Sequence, residues 1–153
     1  MVVNEQLRQK RILFVCIHNS ARSQMAEAFL KRECMTDCII ESAGLEAGVM
    51  NPIVIEAMKE KGIDLSQKSS QSVDQVIASG KQFTHVITVC DDAAAEQCPF
   101  IPGMLSREHW SLLDPSGFVG TKDERLERTR EVRDDIEKRV MKWCEVNCVT
   151  ATT

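Results

Sequence analysis

A cysteine and an arginine separated by five residues, lying between an apolar strand and a helix, constrain this chain more than any other feature. Ile12-Leu13-Phe14-Val15 reads as a buried strand that Cys16 closes, and Ile17, His18, Asn19, Ser20 and Ala21 lead to Arg22 and Ser23. Gln24 to Arg32 follows as an amphipathic helix with Met25, Ala28 and Phe29 on one face. In open α/β folds, the crevice beyond the strand ends is where ligands bind. Loop N–H groups and the helix dipole make it an anion site. A loop of this length can curl around a tetrahedral oxyanion, with its amides and the Arg22 fork on the oxygens. The same positive field favours the thiolate of Cys16. A nucleophile beneath a bound oxyanion is the functional reading. The alternative, a structural cysteine with Arg22 in a surface ion pair, does not account for strand, loop and helix together.

The rest of the chain suits that frame. After the first helix, Ile39 to Gly44 reads as a second strand ending in a glycine turn. Asn51-Pro52 starts a helix with Asn at the N-cap and Pro in the first turn, an apolar face of Ile53, Ala57 and Met58, and a stop at Gly62. Ser66 to Gln71 reads as a loop, and Ser72 to Ser79 as a short helix closed by Gly80. His85 to Cys90 has the β-branched, apolar look of a central parallel strand. Asp91 to Gln97 follows as a helix, and a last strand is expected at His109 to Leu113, ending at Asp114-Pro115. Thr121 and Glu124 form a capping box for a long helix to Glu145, with Leu126, Thr129, Val132, Ile136, Val140 and Trp143 on its buried face. Alternating strands and helices predict a single-domain α/β three-layer sandwich around a four-stranded parallel sheet. Residues 1–10 are expected to be an N-terminal extension and 149–153 a tail.

Composition narrows the partners. A length of 153 residues suits one domain, and a net charge of −4 gives no reason to expect nucleic acid or an anionic membrane. No apolar run approaches the ~20 residues that span a bilayer, and the first ten residues lack a signal-peptide core, so a cytoplasmic location is expected. The seven cysteines are Cys16, Cys34, Cys38, Cys90, Cys98, Cys144 and Cys148. In a reducing compartment such a count points to catalysis, redox cycling or metal binding.

Cys16, Cys90 and Asp114 each read as closing a strand, so a parallel sheet would bring them to one edge. Asp114 there could protonate a leaving oxygen as general acid; alone, Asp-Pro is ordinary turn chemistry. Were the segment between Cys90 and Cys98 helical, the two would lie about 12 Å apart at ~1.5 Å rise per residue. A disulfide needs Cα atoms within roughly 4.4–6.8 Å, so bonding them requires the segment to unwind. They read either as buried thiols or as a redox pair that remodels the segment. Cys34/Cys38 and Cys144/Cys148 read as peripheral thiols, because a metal site built from both pairs would need them to converge. His18 is placed at the pocket mouth; His85 and His109 read as structural.

With these residues in view, the chain resembles the arsenate reductases built on the low-molecular-weight protein tyrosine phosphatase fold. The run from Cys16 to Glu27 carries the resemblance, with Ser42-Ala43-Gly44 and the Asn51-Pro52 helix; Val89-Cys90-Asp91 and Cys98-Pro99 point to the reductase branch. The resemblance implies that Cys16 attacks arsenate held by Arg22 and the amides of residues 17–22, with Ser23 supporting the thiolate and Asp114 protonating the departing oxygen. Cys90 then attacks Cys16, arsenite leaves, and Cys98 attacks Cys90 to form an outer disulfide reduced by thioredoxin, or by glutaredoxin and glutathione. No tightly bound cofactor is implied, but potassium beside the loop is, with Asn19, Glu27 and Ser42 at the matching positions. A monomer is expected.

The sequence departs from the commonest family pattern at His18, where glycine is usual, at Ala21, where a cysteine is often found, and in a Cys90–Cys98 spacing one residue longer. It also contains no tyrosine, so the Asp-Pro-Tyr that packs phosphotyrosine is missing, which favours a small inorganic oxyanion. Two other functions remain open. One is a phosphatase that uses Cys16, Arg22 and Asp114 alone. The other is a non-catalytic sensor that signals through a Cys90–Cys98 disulfide.

Overall fold

The run from Ile12 to Cys16 is buried on both sides, and in the computed structural model it lies in β1 (Lys10–Cys16), an inner strand of the sheet. The structure describes residues 10–34 and 38–147, so the expected extension, apart from Lys10, and the expected tail lie outside the described residues. The other strands are β2 (Cys38–Gly44), β3 (His85–Thr88) and β4 (Ser106–His109), in the order β2-β1-β3-β4, and every pairing is parallel. The expected four-stranded parallel α/β architecture is the one observed.

Alternation along β1 divides the core into two layers. Ile12, Phe14 and Cys16 enter one cluster, and Leu13 and Val15 enter the other. The first is covered by α1 (Arg22–Glu33), α2 (Pro52–Lys59) and the long α5 (Lys122–Asn147). On the second face lies α3 (Val73–Ala78), started by the reciprocal bonds of a Ser72/Gln75 capping box. Thr121 and Glu124 make the expected box ahead of α5, and all six residues predicted for its inner face are buried. Asn51 caps α2 through its side chain, but Val54, not Ile53, joins Ala57 and Met58 on the buried face. Ile53 sits on the shoulder of the helix, half-buried.

Two strand boundaries differ from expectation. β3 ends at Thr88, so Cys90 lies two residues beyond it, and α4 (Asp92–Glu96) begins at once behind an Asp91 cap. β4 occupies Ser106–His109, ahead of the predicted His109–Leu113 segment. As an edge strand with alternate residues facing solvent, it needs little apolar content, so hydrophobicity did not mark it. Trp110 and Leu112 are apolar for another reason: they leave the sheet and bury into the first core cluster. Asp114 therefore closes no strand. It caps the 3-10 turn Pro115–Gly117 instead.

Candidate active site

The loop from Cys16 to Arg22 is held from below by backbone pairing that prolongs the β1–β2 ladder. Leu45 N donates to Cys16 O at 3.0 Å, Glu46 N to Ile17 O at 3.0 Å, Gly48 N to His18 O at 2.8 Å and Asn51 N to Ser20 O at 3.1 Å. The packing is close enough that a Cβ on Gly44 would lie 2.6 Å from Asn19 N and 2.7 Å from the His18 carbonyl carbon. Only glycine fits there.

Asn19 takes the left-handed backbone conformation, with φ 55°. Asparagine tolerates that region better than most residues, and here a full set of hydrogen bonds holds it. Its Oδ1 accepts from Gln71 N at 3.0 Å and Gln24 Nε2 at 3.1 Å, and its carbonyl accepts from Ser70 Oγ at 2.9 Å. Its Nδ2 donates to Ser23 Oγ at 2.8 Å and Ser42 Oγ at 2.9 Å. The left-handed residue is thus Asn19, not His18. The His18 side chain lies half-exposed beside the loop, with Nδ1 3.0 Å from Glu46 Oε1.

Cys16 is 2% exposed; its sulfur lies 2.8 Å from Ser23 Oγ and accepts from Asn19 N at 3.2 Å. Ser20 and Ala21 are buried, and Ile17 packs against the core from its edge. Arg22 opens α1 and is buried as well. Its Nη1 donates to Leu112 O at 3.0 Å, Nη2 lies 3.3 Å from Asp114 Oδ2, and Nε has no partner among the described residues. Asp114 caps the turn, Oδ1 accepting from Ser116 N at 2.9 Å, while Oδ2 faces Arg22.

Cys90 packs in the same core cluster as Cys16, whereas Cys98 packs in the cluster on the other side of the sheet. Both carry free thiols. Burial pushes the Cys90 thiol up to about 11, against the pull of Arg22. Burial also raises Cys98, opposed by Arg107. The Arg107 guanidinium clamps the end of α4 by donating to Ala95 O at 2.6 Å and Cys98 O at 3.3 Å. Sequence reasoning missed Arg107, Gln24 and the Ser69–Gln71 loop, because their partners are set by how the loops fold onto one another: Arg107 on Ala95 and Cys98, Gln24 on Asn19 and Ser69, Ser70 and Gln71 on Asn19.

The donor set considered for potassium does not fit that ion. Burial raises the Glu27 carboxyl, but hydrogen bonds from Lys31, Lys68 and Ser42 outweigh it and hold the group below its usual range. Lys68 Nζ is 2.7 Å from Glu27 Oε2, with Lys31 on the same oxygen. Asn19 turns its NH2 group toward Ser42, where a hard cation would need an oxygen lone pair. The positive charge at this place is supplied by lysine.

Cys34, Cys38 and Cys144 do converge, contrary to the sequence expectation, at the end of the sheet away from the Cys16 loop. The end of α5, far away in sequence, meets the end of α1 and the start of β2 there. Cys148 lies outside the described residues.

A buried cysteine at a strand end, beneath a loop that runs into a buried arginine on a parallel α/β scaffold, is the arrangement that cysteine-dependent oxyanion chemistry requires. Residues 11–150 match the low molecular weight phosphotyrosine protein phosphatase family. The chain is 40% identical over 139 residues to an arsenate reductase of Bacillus licheniformis, covering 91% of this chain and 98% of that one. A solved arsenate reductase in a phosphate-binding state superposes with a TM-score of 0.73 at 32% identity, over 90% of this chain and 98% of the other. A thioredoxin-dependent arsenate reductase of Corynebacterium glutamicum superposes at 0.58 with 26% identity, over 87% of this chain and 62% of that one. The chain belongs to the low molecular weight phosphotyrosine protein phosphatase family, and within it to the arsenate reductases.

Proposed function

We propose that this protein reduces arsenate to arsenite through Cys16, Cys90 and Cys98, with thioredoxin restoring the reduced state. The observation that supports the reading is a second free thiol, Cys90, in the same buried cluster as Cys16, with the free thiol of Cys98 at the far end of the short helix that follows it. Cys16, Cys98 and Arg22 all act electrostatically on Cys90. A phosphomonoesterase needs only Cys16.

In this reading arsenate sits in the loop of residues 17–22, held by backbone N–H groups and by the Arg22 guanidinium, whose buried Nε is left for an anion oxygen. Cys16 Sγ attacks arsenic, and Asp114 gives a proton to the departing oxygen, which leaves as water. The incoming anion competes with Asp114 for the guanidinium, which frees the carboxyl for this transfer. Cys90 then attacks Cys16 Sγ; the S–As bond breaks and its electron pair remains on arsenic, which departs as arsenite. Cys98 attacks Cys90, the Cys16 thiolate leaves, and a Cys90–Cys98 disulfide remains for an external dithiol. Ser23 and Asn19 steady the Cys16 sulfur between cycles. A cytoplasmic, monomeric protein suits this chemistry, and no helix among the described residues is long and apolar enough to cross a membrane.

The test is steady-state arsenate turnover with thioredoxin, thioredoxin reductase and NADPH, run beside Cys90→Ser and Cys98→Ser. Turnover by the wild type, with both variants stopping after at most one cycle, is the expected outcome. Sustained turnover of Cys98→Ser with glutathione and glutaredoxin would assign a different reductant. Aryl phosphate hydrolysis without arsenate turnover, indifferent to both substitutions, would make the protein a phosphatase.

A further inference from the structure

Three sulfur atoms meet at the end of the sheet remote from the proposed relay. Cys34 caps the C-terminus of α1, Cys38 opens β2 and Cys144 lies in the last turns of α5. Cys34 Sγ is 3.2 Å from Cys38 Sγ and 4.0 Å from Cys144 Sγ. All three are part-buried against the first core cluster. Cys38 pairs in register with Lys10, six residues before Cys16, which at ~3.3 Å per strand residue places the group about 20 Å from the nucleophile. Direct exchange between this cluster and Cys16 is ruled out by that distance.

Cys34 is disulfide-bonded in this structure, and in that state no group among the described residues could hold a metal ion. Reduction by a dithiol changes the donor set. We propose that, once reduced, Cys34, Cys38 and Cys144 form a binding site for trivalent arsenic, separate from the active site. The ligand is chosen by the sulfur chemistry and by the product of the proposed reaction, so the identity of the ligand rests on that reading.

The balance needs two steps. A dithiol reductant gives two electrons and two protons to the Cys34 disulfide and is itself oxidised to a disulfide. Three thiols then condense with arsenous acid: three As–O bonds break, three As–S bonds form, and three waters leave with no change in oxidation state. Soft thiolate sulfur selects soft centres of this kind. Zinc is a poorer match, because it requires ionised thiols. Burial, with Glu33 and Glu145 nearby, raises the Cys144 thiol. Condensation with arsenous acid consumes neutral thiols and releases water, so the acidic surroundings do not oppose it.

The experiment uses the full chain with Cys16, Cys90 and Cys98 replaced by serine, so that the relay itself cannot hold arsenic. This parent is reduced with a phosphine, freed of reductant, incubated with sodium arsenite and passed through a desalting column; bound arsenic is then counted by elemental mass spectrometry. One equivalent retained by the reduced parent, and loss to background in Cys38→Ala and Cys144→Ala, is the expected result. Circular dichroism of each variant shows that loss of arsenic is not loss of fold, and Cys34→Ser is read only beside these two. No retention by the reduced parent, or retention unchanged in both variants, would overturn the proposal. Because arsenite is supplied directly, retention without arsenate turnover by the wild type would leave the site standing and remove the reductase reading; turnover without retention would do the reverse.

Discussion

Asp114 divides its carboxylate between two tasks: Oδ1 caps the turn at Ser116, and Oδ2 lies 3.3 Å from Nη2 of Arg22. The turn orients the carboxyl, and the arginine holds it beside the loop. Asp114→Asn keeps the cap, since an amide oxygen can still accept from Ser116 N, but removes the transferable proton. Single-turnover arsenate reduction should fall by about a hundredfold, the low end for a positioned general acid, while alkylation of Cys16 by iodoacetamide continues. An unchanged turnover rate would leave Asp114 with structural work only.

Ser23 is buried beside Cys16 and receives a hydrogen bond from Asn19 Nδ2, which leaves its own hydroxyl hydrogen for the sulfur. Ser23→Ala removes the hydrogen bond to the Cys16 sulfur, worth roughly 1.5 kcal/mol. Alkylation of Cys16 at neutral pH should slow by about tenfold, and stability should fall by about 1–3 kcal/mol because the buried Asn19 Nδ2 loses its acceptor on Ser23. Measuring both separates support of the thiolate from support of the fold.

The buried Cys90 thiol, pushed up to about 11, sets a pH dependence on the second chemical step. A raised thiol pKa means that the thiolate is scarce at neutral pH and increases as pH rises. Formation of the Cys16–Cys90 disulfide in a single turnover should therefore accelerate by about tenfold per pH unit from roughly pH 7 to pH 9. A flat profile over that range, in rapid-quench experiments with Cys98→Ser, would show that chemistry at Cys90 does not limit the step.

Cys90 and Cys98 face different core layers, with the five residues of α4 between them. Their disulfide requires α4 to unwind and the Arg107 clamp on Ala95 and Cys98 to release. Amide hydrogen exchange from about residue 92 to 98 should be markedly faster in the oxidised protein than in the reduced one, while α5 and β1 keep their protection. Equal exchange in both states would mean that the disulfide forms without remodelling.

Lys68 supplies charge to Glu27 at the place considered for potassium. Turnover should accordingly be the same in potassium and in choline buffers. Lys68→Ala should lower stability by about 1–2 kcal/mol in urea denaturation, since it uncovers one side of a buried carboxylate. A potassium requirement that appears only in Lys68→Ala would show that the ammonium and the ion compete for one position.

What the sequence determined by itself is local. The strand, loop and helix around Cys16 and Arg22 are contiguous, and so are the caps at Asn51, Ser72 and Thr121, because each of these depends on residues a few positions apart. The inner face of α5 was legible for the same reason: its period is a property of one helix. Tertiary structure decided the rest. Edge strand β4 is set by backbone pairing with β3, which leaves its polar side chains free of any pattern, while Trp110 and Leu112 are apolar for a buried segment that is not a strand. The pairings of Asp114 with Arg22, of Lys68 with Glu27 and of Cys144 with Cys34 all join segments distant along the chain. Which of those segments touch depends on strand order and register, and these are fixed only when both faces of the sheet are buried together.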